Sequence, residues 1–207
     1  MSPIKIACET YAWQMPGEIY KGKLDHIMNI VSKAGFTGIE PETSFFGELE
    51  DPVKMKEVLN RHQLELSVLC HVEDWRNPTE TEEEKKRADQ WMDFLSHFPD
   101  TIYLLVQMPG SERSNLVERQ QNLLKCLNQI AGRAKDRGIE CSYHPNSPEG
   151  SVYRTRDDYR ILLDGLDDHL IGYTPDLGHI AKTGMDPLAI VKEYRDRINL
   201  VHYKDMY

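Results

Sequence analysis

The chain has 207 residues, 40% of them hydrophobic, and a formal net charge of −9. This length suits one well-packed globular domain, and no apolar run approaches the roughly 18 residues that a membrane span needs. The acidic balance argues against a protein whose main role is to bind nucleic acid, because such proteins usually carry a positive surface.

The first residues and the cysteines indicate a cytoplasmic protein. The apolar stretch at residues 4–8 is too short and too charged for a signal peptide. Of the four cysteines, none has CxxC spacing, and three lie in apolar strand-like runs: Cys8, Cys70, Cys126 and Cys141. We therefore expect buried, reduced thiols rather than a disulfide or a zinc cluster.

Short apolar strands alternate with amphipathic helical stretches along the chain. The predicted strands span residues 4–12, 38–41, 64–71, 101–107, 139–144, 170–176 and 198–204. The predicted helices span residues 23–33, 52–61, 80–98, 116–137, 157–165 and 187–195. Two helix starts carry an aspartate N-cap followed by a proline, at Asp51 and Asp186. Strands separated by single helices imply right-handed parallel crossovers.

Two architectures produce this alternation. A doubly wound open sheet usually carries a glycine-rich turn after its first strand, whereas residues 8–13 contain no glycine. We therefore predict an α/β protein with the (β/α)8 TIM barrel fold, residues 1–207 forming a single barrel domain. A full barrel takes about 250 residues and eight strands, so we expect this one to be truncated after its seventh strand, lacking the last βα unit.

Polar side chains gather at the C-terminal ends of the predicted strands, where the catalytic groups of parallel barrels lie. In chain order these ends carry Glu9; Glu40 and Glu42; His71, Glu73 and Asp74; Gln107; His144 and Asn146; Asp176 and His179; and His202, Lys204 and Asp205. Surface loops would carry Lys, Ser and Gly as often as His, so this concentration predicts a site at one mouth of the barrel. Side chains alternate along a strand, and the alternation of polar and apolar residues predicts that Ser142, His144 and His202 point inward.

Asp176 and His202 are the candidate metal ligands. A carboxylate beside a neutral imidazole suits a borderline or hard divalent cation. A buried structural pair is the alternative, and the two residues taken by themselves leave both interpretations open.

Three motifs in the last third of the chain carry a resemblance. The sequence reads Asp-Leu-Gly-His at 176–179, Gly-Met-Asp-Pro at 184–187 and Arg-Ile-Asn-Leu-Val-His-Tyr-Lys-Asp at 197–205. These segments resemble the D-x-G-H, G-x-D-P and R-I-x-x-x-H-x-K-D pattern of the xylose isomerase-like barrel superfamily. That superfamily includes sugar epimerases, hydroxypyruvate isomerase, inosose dehydratase and endonuclease IV nucleases. The match is strong over residues 138–205 and weaker upstream, where Ala-Gly-Phe-Thr-Gly-Ile-Glu at 34–40 is similar to the family's AGF-x-G-[IV]-E.

The resemblance implies roles for particular residues. Asp176 matches the family's metal-binding aspartate and His202 its metal-binding histidine, which implies a divalent ion, Mn, Mg, Co or Zn. His179 matches a histidine that contacts substrate in the epimerases, and Glu40 matches an acidic residue whose role varies. With His144, these two are the candidate catalytic residues. The predicted substrate-binding residues are the other strand-end groups: Glu9, His71, Gln107, Asn146 and Lys204.

The chain departs from the family pattern at two places. Epimerases of this group usually supply a glutamate from strand five in an E-x-H arrangement, but residues 142–144 read Ser-Tyr-His. Serine cannot replace a carboxylate as ligand or base, so we expect His144, Asn146 or Glu149 to take over. The Tyr-His run somewhat resembles inosose dehydratases. The glutamate that the family places on strand eight would fall beyond Tyr207.

We therefore predict a metal-dependent isomerase or epimerase that acts on a small sugar or polyol derivative through an enediolate-type proton transfer. An inosose dehydratase-like lyase begins with the same proton abstraction and is the closest alternative, followed by an inactive barrel that serves as a binding module. An endonuclease is disfavoured, because it would need more zinc ligands and a basic surface. We expect a sugar substrate and no nucleic-acid or membrane partner, and the sequence leaves open whether the chain forms a homo-oligomer.

Overall fold

The structure is a computed structural model that describes residues 4–204. The strands are β1 (Ala7–Glu9), β2 (Gly38–Glu40), β3 (Glu65–Leu66), β4 (Val68–Glu73), β5 (Ile102–Gln107), β6 (Cys141–Tyr143) and β7 (Ile171–Tyr173). The helices are α1 (Leu24–Lys33), α2 (Pro52–His62), α3 (Glu82–Leu95), α4 (Leu116–Asp136), α5 (Arg156–Gly165), α6 (Leu177–Lys182) and α7 (Pro187–Tyr194). Asp205, one of the predicted strand-end residues, lies outside the described residues.

Every ladder between these strands is parallel. One sheet has the order β1-β2-β3 and the other the order β4-β5-β6-β7. A bridge between Glu42 and Cys70 joins them, and parallel bridges from Tyr173 to Ile198 and from Asp176 to His202 continue the series. Sequential parallel strands with a helix between most neighbours are the arrangement of a TIM barrel, as predicted. In the described part of the chain, no pairing connects β1 with residues 198–202.

The predicted third strand forms two strands because Ser67 changes partner. Its backbone N–H donates to Ile39 on one side, and its carbonyl accepts from Ile102 on the other. The strand then continues to Glu73, beyond the predicted end at residue 71. The predicted strand at 198–204 is reduced to the bridges at Ile198 and His202, and helix α6, which was not predicted, begins directly after Asp176.

The core lies between the helices and the outer faces of the strands. Leu69, Tyr103 and Tyr173 are fully buried there, with Ile27 of α1 and Ile130 of α4 in the same apolar cluster. Burying each such side chain contributes about 1.5–3 kcal/mol. Because the outer faces take the large apolar residues, the inner faces carry the polar ones that form the site.

All four cysteines are free thiols. Cys126 and Cys141 are buried as predicted, whereas Cys8 and Cys70 are only half-buried, so the expectation of burial is wrong for these two. Among the helices of residues 4–204, none combines the length and the apolar character needed to cross a membrane.

Candidate active site

A cavity of about 480 Å³ opens at the C-terminal ends of the strands. This volume lies within the range of about 300–1,000 Å³ that small-molecule sites usually have. Its lining includes most of the predicted site residues: Glu9, Glu40, Gln107, His144, Asn146, His179, His202 and Lys204. Asp176 is fully buried directly beneath them. The structure therefore brings together every predicted site residue except His71.

His71 lies behind the sheet and not in the cavity. Side chains alternate along β4, and Cys70 and Val72 line the cavity, so His71 points to the opposite face. There its Nδ1 lies 2.6 Å from the hydroxyl of Tyr103, and the two rings stack. Burial lowers the pKa of His71 to about 3. The expectation that His71 contacts substrate is therefore corrected, and the residue packs in the protein interior.

Asp176 is the centre of the site, and its two oxygens have different partners. Oδ1 accepts a hydrogen bond of 2.8 Å from the backbone N–H of His179 and so caps α6. Oδ2 lies 2.8 Å from Lys204 Nζ, 3.3 Å from His144 Nε2, 3.7 Å from His202 Nδ1 and 3.8 Å from His179 Nε2. Burial by itself would raise the pKa of Asp176, but the contacts with His144 and His202 outweigh it and hold that pKa below its ordinary value.

A second group joins the first strands to the end of the described chain. His202 Nε2 lies 3.0 Å from Glu40 Oε1, and His202 Nδ1 lies 3.5 Å from Glu9 Oε2. Burial lowers the pKa of His202, but the charge of Glu40 and the contact with Asp176 outweigh it and raise the pKa to about 10. Lys204 Nζ lies 3.3 Å from Glu9 Oε1, and burial raises the pKa of Glu9.

His144 and His179 are neutral imidazoles at pH 7. Burial lowers the pKa of His144 to about 3 and that of His179 to about 4. His179 Nδ1 lies 2.7 Å from Ser147 Oγ. When Nδ1–H donates to Ser147, Nε2 keeps its lone pair and can accept a proton. Ser147 was not identified from the sequence, because a serine in a loop carries no signal of its own.

Ser142 does not take part in the cavity. It is fully buried, and its hydroxyl contacts that of Thr174 next to β7. Of the three residues expected to compensate, Glu149 is exposed and outside the cavity lining. Asn146 donates to the carbonyl of Gln107 and accepts from Ser151. Only His144, of these three, contacts Asp176.

The donor atoms of the site fit a divalent ion. Ligands at about 2.0–2.3 Å from one cation lie roughly 3–3.5 Å from each other. His202 Nδ1 lies 3.5 Å from Glu9 Oε2 and 3.7 Å from Asp176 Oδ2, close to these separations, whereas Glu40 faces the other ring nitrogen, Nε2. Within residues 4–204, His202 Nδ1 is buried without a hydrogen-bond partner. Carboxylate oxygens and imidazole nitrogens suit hard or borderline cations, so His202 Nδ1 with Asp176 and Glu9 can hold one.

One wall of the cavity is apolar, and sequence reasoning did not identify it. Phe45, Val72 and Val106 line this wall, and Tyr11 and Met108 are exposed near the mouth. The ammonium group of Lys204 lies 5.0 Å from the centre of the Tyr11 ring. Apolar strand residues are usually assigned to the core, so no sequence signal distinguished these from core residues.

A family model and two curated relatives match most of the chain. The family model described as xylose isomerase-like TIM barrel matches residues 28–207. The inosose dehydratase of Geobacillus kaustophilus is 23% identical over 100% of this chain and 70% of its own length. The inosose dehydratase of Clostridium perfringens strain 13 is 24% identical over 99% of this chain and 72% of its own length.

Solved structures with the same fold include three that cover nearly all of the chain. The "probable 3-DHS dehydratase" of Bacillus anthracis has a TM-score of 0.75 at 18% identity, covering 98% of this chain and 73% of that one. The 3-keto-D-glucoside 4-epimerase of E. coli has a TM-score of 0.73 at 15% identity, covering 98% and 80%. A xylose isomerase-like TIM barrel protein of Mycobacterium smegmatis in complex with magnesium has a TM-score of 0.72 at 17% identity, covering 97% and 74%.

Proposed function

Because the chain belongs to the xylose isomerase-like TIM barrel family, we propose that it catalyses metal-dependent removal of a proton next to the carbonyl of a small polyhydroxy ketone, followed by loss of water. The observation that carries this proposal is the cluster around Asp176, in which two neutral imidazoles and one ammonium group lie within 3.8 Å of a buried carboxylate. A proton acceptor and a proton donor within reach of one substrate are what this chemistry requires.

In this proposal Asp176, His202 and Glu9 hold a divalent ion, with His202 binding through Nδ1. When bound, the ion would polarise the substrate carbonyl and stabilise negative charge on its oxygen. The magnesium complex of the Mycobacterium smegmatis protein supports a divalent cation. Metal analysis of the purified protein would distinguish among Mn, Mg, Co and Zn.

His179 is the proposed base and Lys204 the proposed acid. His179 Nε2 takes the proton from the carbon next to the carbonyl, and the electrons of that C–H bond form the enolate. The C–O bond at the next carbon then breaks, and Lys204 protonates the departing hydroxyl, which leaves as water. The carboxylates of Glu9 and Asp176 outweigh burial and raise the pKa of Lys204, so the ammonium group holds its proton at pH 7.

Dehydration is preferred over isomerisation for a structural reason. An isomerase returns the proton to a second carbon, and an epimerase returns it to the opposite face of the same carbon, so either needs another well-placed base. Epimerases use a carboxylate at the position of Ser142, whose hydroxyl is hydrogen-bonded to that of Thr174 and cannot replace it. Dehydration needs one base and one acid. The two curated relatives named above, both inosose dehydratases, support the same choice.

An isomerase or epimerase is the second candidate, and one observation favours it. The donor groups form two sets, one of Glu9, Glu40 and His202 and one of His144, Asp176 and His179. Two sets could remove a proton and return it elsewhere on the substrate.

The test follows the substrate by NMR in D₂O. The protein, loaded in turn with each of the four metals, is incubated with inosose and with a panel of ketoses. We expect loss of the signal of the proton next to the carbonyl and the appearance of an unsaturated ketone. Deuterium incorporation without loss of water would favour the isomerase, and the absence of exchange with every metal and substrate would contradict both candidates.

A further inference from the structure

We infer that the substrate of this site is uncharged, a polyhydroxy ketone that carries neither phosphate nor carboxylate. The inference rests on the proposed function and narrows its substrate class. It is drawn from the charges, hydrogen bonds and apolar surface of the cavity.

Carboxylates outnumber cations around the cavity. Four of them line it and one lies beneath: Glu9, Glu18, Glu40, Glu42 and Asp176. The lysines of the lining are Lys21 and Lys204, and within residues 4–204 no arginine lines the cavity. With the imidazolium of His202 and a divalent ion added, the cations would only balance these carboxylates and leave no excess of positive charge. Anionic substrates usually meet arginine forks or lysines in their sites, and this cavity has no net positive charge to attract them.

Both lysines already have carboxylate partners. Lys204 Nζ lies 2.8 Å from Asp176 and 3.3 Å from Glu9. Lys21 pairs with Glu18 at 3.0 Å on the exposed rim, where an ion pair is screened by solvent. A phosphate would have to displace one of these carboxylates to bind either lysine.

Backbone N–H groups bind phosphate in many sites, and several of those around this cavity already donate to acceptors within the protein. Around the mouth they donate to neighbouring carbonyls or hydroxyls within 3.0 Å, at Thr10, Gln14, Gly17, Glu42 and Met108. These five amide groups are therefore not free to bind a phosphate.

The apolar wall of the cavity also matches the apolar faces of a neutral polyhydroxy ring. Phe45, Val72 and Val106 line the same cavity as the carboxylates and imidazoles. A polyhydroxy ring has C–H groups on its faces and hydroxyls at its edges, so it can place its faces against this wall while its hydroxyls meet the polar side. Burying a phosphate against the same wall would leave it without donors.

The experiment compares matched ligands that differ in charge. Binding of D-fructose, D-fructose 6-phosphate and 2-ketogluconate, which carries a carboxylate where fructose has a hydroxymethyl group, is measured by calorimetry with inosose as a second neutral ligand. We expect the neutral ketones to bind at least about ten-fold more tightly than the charged ones. Tighter binding of either anion would overturn the inference and leave the proposed function standing. Failure of every ketone to bind would overturn the proposed function and the inference together.

A variant that lacks one cavity carboxylate tests whether charge causes the discrimination against anionic ligands. Glu42→Gln removes a carboxylate from the cavity wall and should reduce the discrimination against fructose 6-phosphate by about three- to ten-fold, since it removes one repulsive charge a few ångströms away. Glu57→Gln removes the same charge from the exposed face of α2, outside the cavity, and should leave the discrimination unchanged. Equal discrimination in the wild type and in Glu42→Gln would show that the carboxylates do not select the ligand.

Discussion

At the scale of single residues, Asp176 serves both the fold and the site. Its Oδ1 caps helix α6 through the N–H of His179, and its Oδ2 faces Lys204 and the imidazoles. Asparagine can also cap a helix but carries no charge. The two roles can therefore be separated by choosing the substitution.

Asp176→Asn should abolish metal binding and reduce turnover at least about 100-fold while lowering the melting temperature only slightly. Asp176→Ala should also lose the cap and cost about 1 kcal/mol more in stability. Calorimetric titration measures metal binding by both variants, and thermal melts measure their stability. Asp186→Asn, at the N-cap of α7, is the matched control, because Asp186 accepts from Leu188 and Ala189 outside the cavity. Unaltered metal binding in Asp176→Asn would favour the interpretation of Asp176 and His202 as a structural pair.

His71 makes the protein sensitive to acid for a reason unrelated to the cavity. Its pKa of about 3 in the folded protein lies below the value of about 6.5 expected in the unfolded chain. The unfolded state therefore binds the proton first as the pH falls, and the contribution of His71 to the free energy of unfolding decreases by about 2 kcal/mol between pH 7 and pH 5.

His71→Asn should remove this part of the pH dependence, because asparagine does not titrate. Urea unfolding at pH 7 and pH 5 measures it, with His169→Asn as the control at an exposed histidine. Parallel losses of stability in the wild type and in His71→Asn would show that His71 does not contribute.

At the scale of elements, local signals were predictable and tertiary ones were not. The helix starts at Asp51-Pro52 and Asp186-Pro187 are found as predicted, because an N-cap and a proline act within one turn. The break at Ser67 depends on hydrogen bonds to two other strands, which the local sequence does not encode. The same limit explains the error at His71, since the pairing of β4 with neighbouring strands decides which of its two faces is turned to the cavity.

The inward direction of polar residues was predictable where the alternation was clear. His144, directly after β6, and His202, at an isolated bridge, line the cavity as expected, whereas Ser142 is buried against Thr174 and does not line it. Thr174 and Ser147 went unrecognised, because their roles depend on which strand or helix lies beside them.

Helix α5 depends on the buried carboxylate of Asp158. It accepts from four donors, on Arg154, Thr155, Gln120 and Arg113. Asp158→Ala would leave these groups unpaired beside an uncompensated guanidinium, so we expect a loss of about 3–5 kcal/mol in the free energy of unfolding. Asp157→Ala removes the adjacent exposed carboxylate and should change it by less than about 0.5 kcal/mol. Denaturant titration of both variants measures the difference, and similar losses would show that the four hydrogen bonds contribute little.

At the scale of the whole molecule, no strand among residues 4–204 pairs with the edge of β1 opposite β2. Ile4 and Ile6, just before this strand, are 92% and 66% exposed, and Tyr203 is 90% exposed. Open, apolar strand edges favour pairing with another chain.

We therefore expect the 207-residue chain to self-associate as its concentration rises. Ile6→Lys should reduce the association by placing a charge at the edge, whereas Val53→Lys, on an exposed face of α2, should not. Sedimentation velocity over a concentration series measures the effect. A wild-type chain that stays monomeric throughout would show that the edge is protected.

The contact between Glu40 and His202 joins residues 162 positions apart, and this separation sets the order of events when the protein is made. A ribosome that adds roughly 5–20 residues per second synthesises Glu40 about 8–30 s before His202. During that time β2 can pair with β1 and β3, which are close in sequence, while the carboxylate of Glu40 still lacks its histidine. Contacts of long sequence separation form slowly because a large loop must close. A nascent chain would therefore complete much of its wall before it could bind a metal ion, and acquisition of the ion would mark the end of folding.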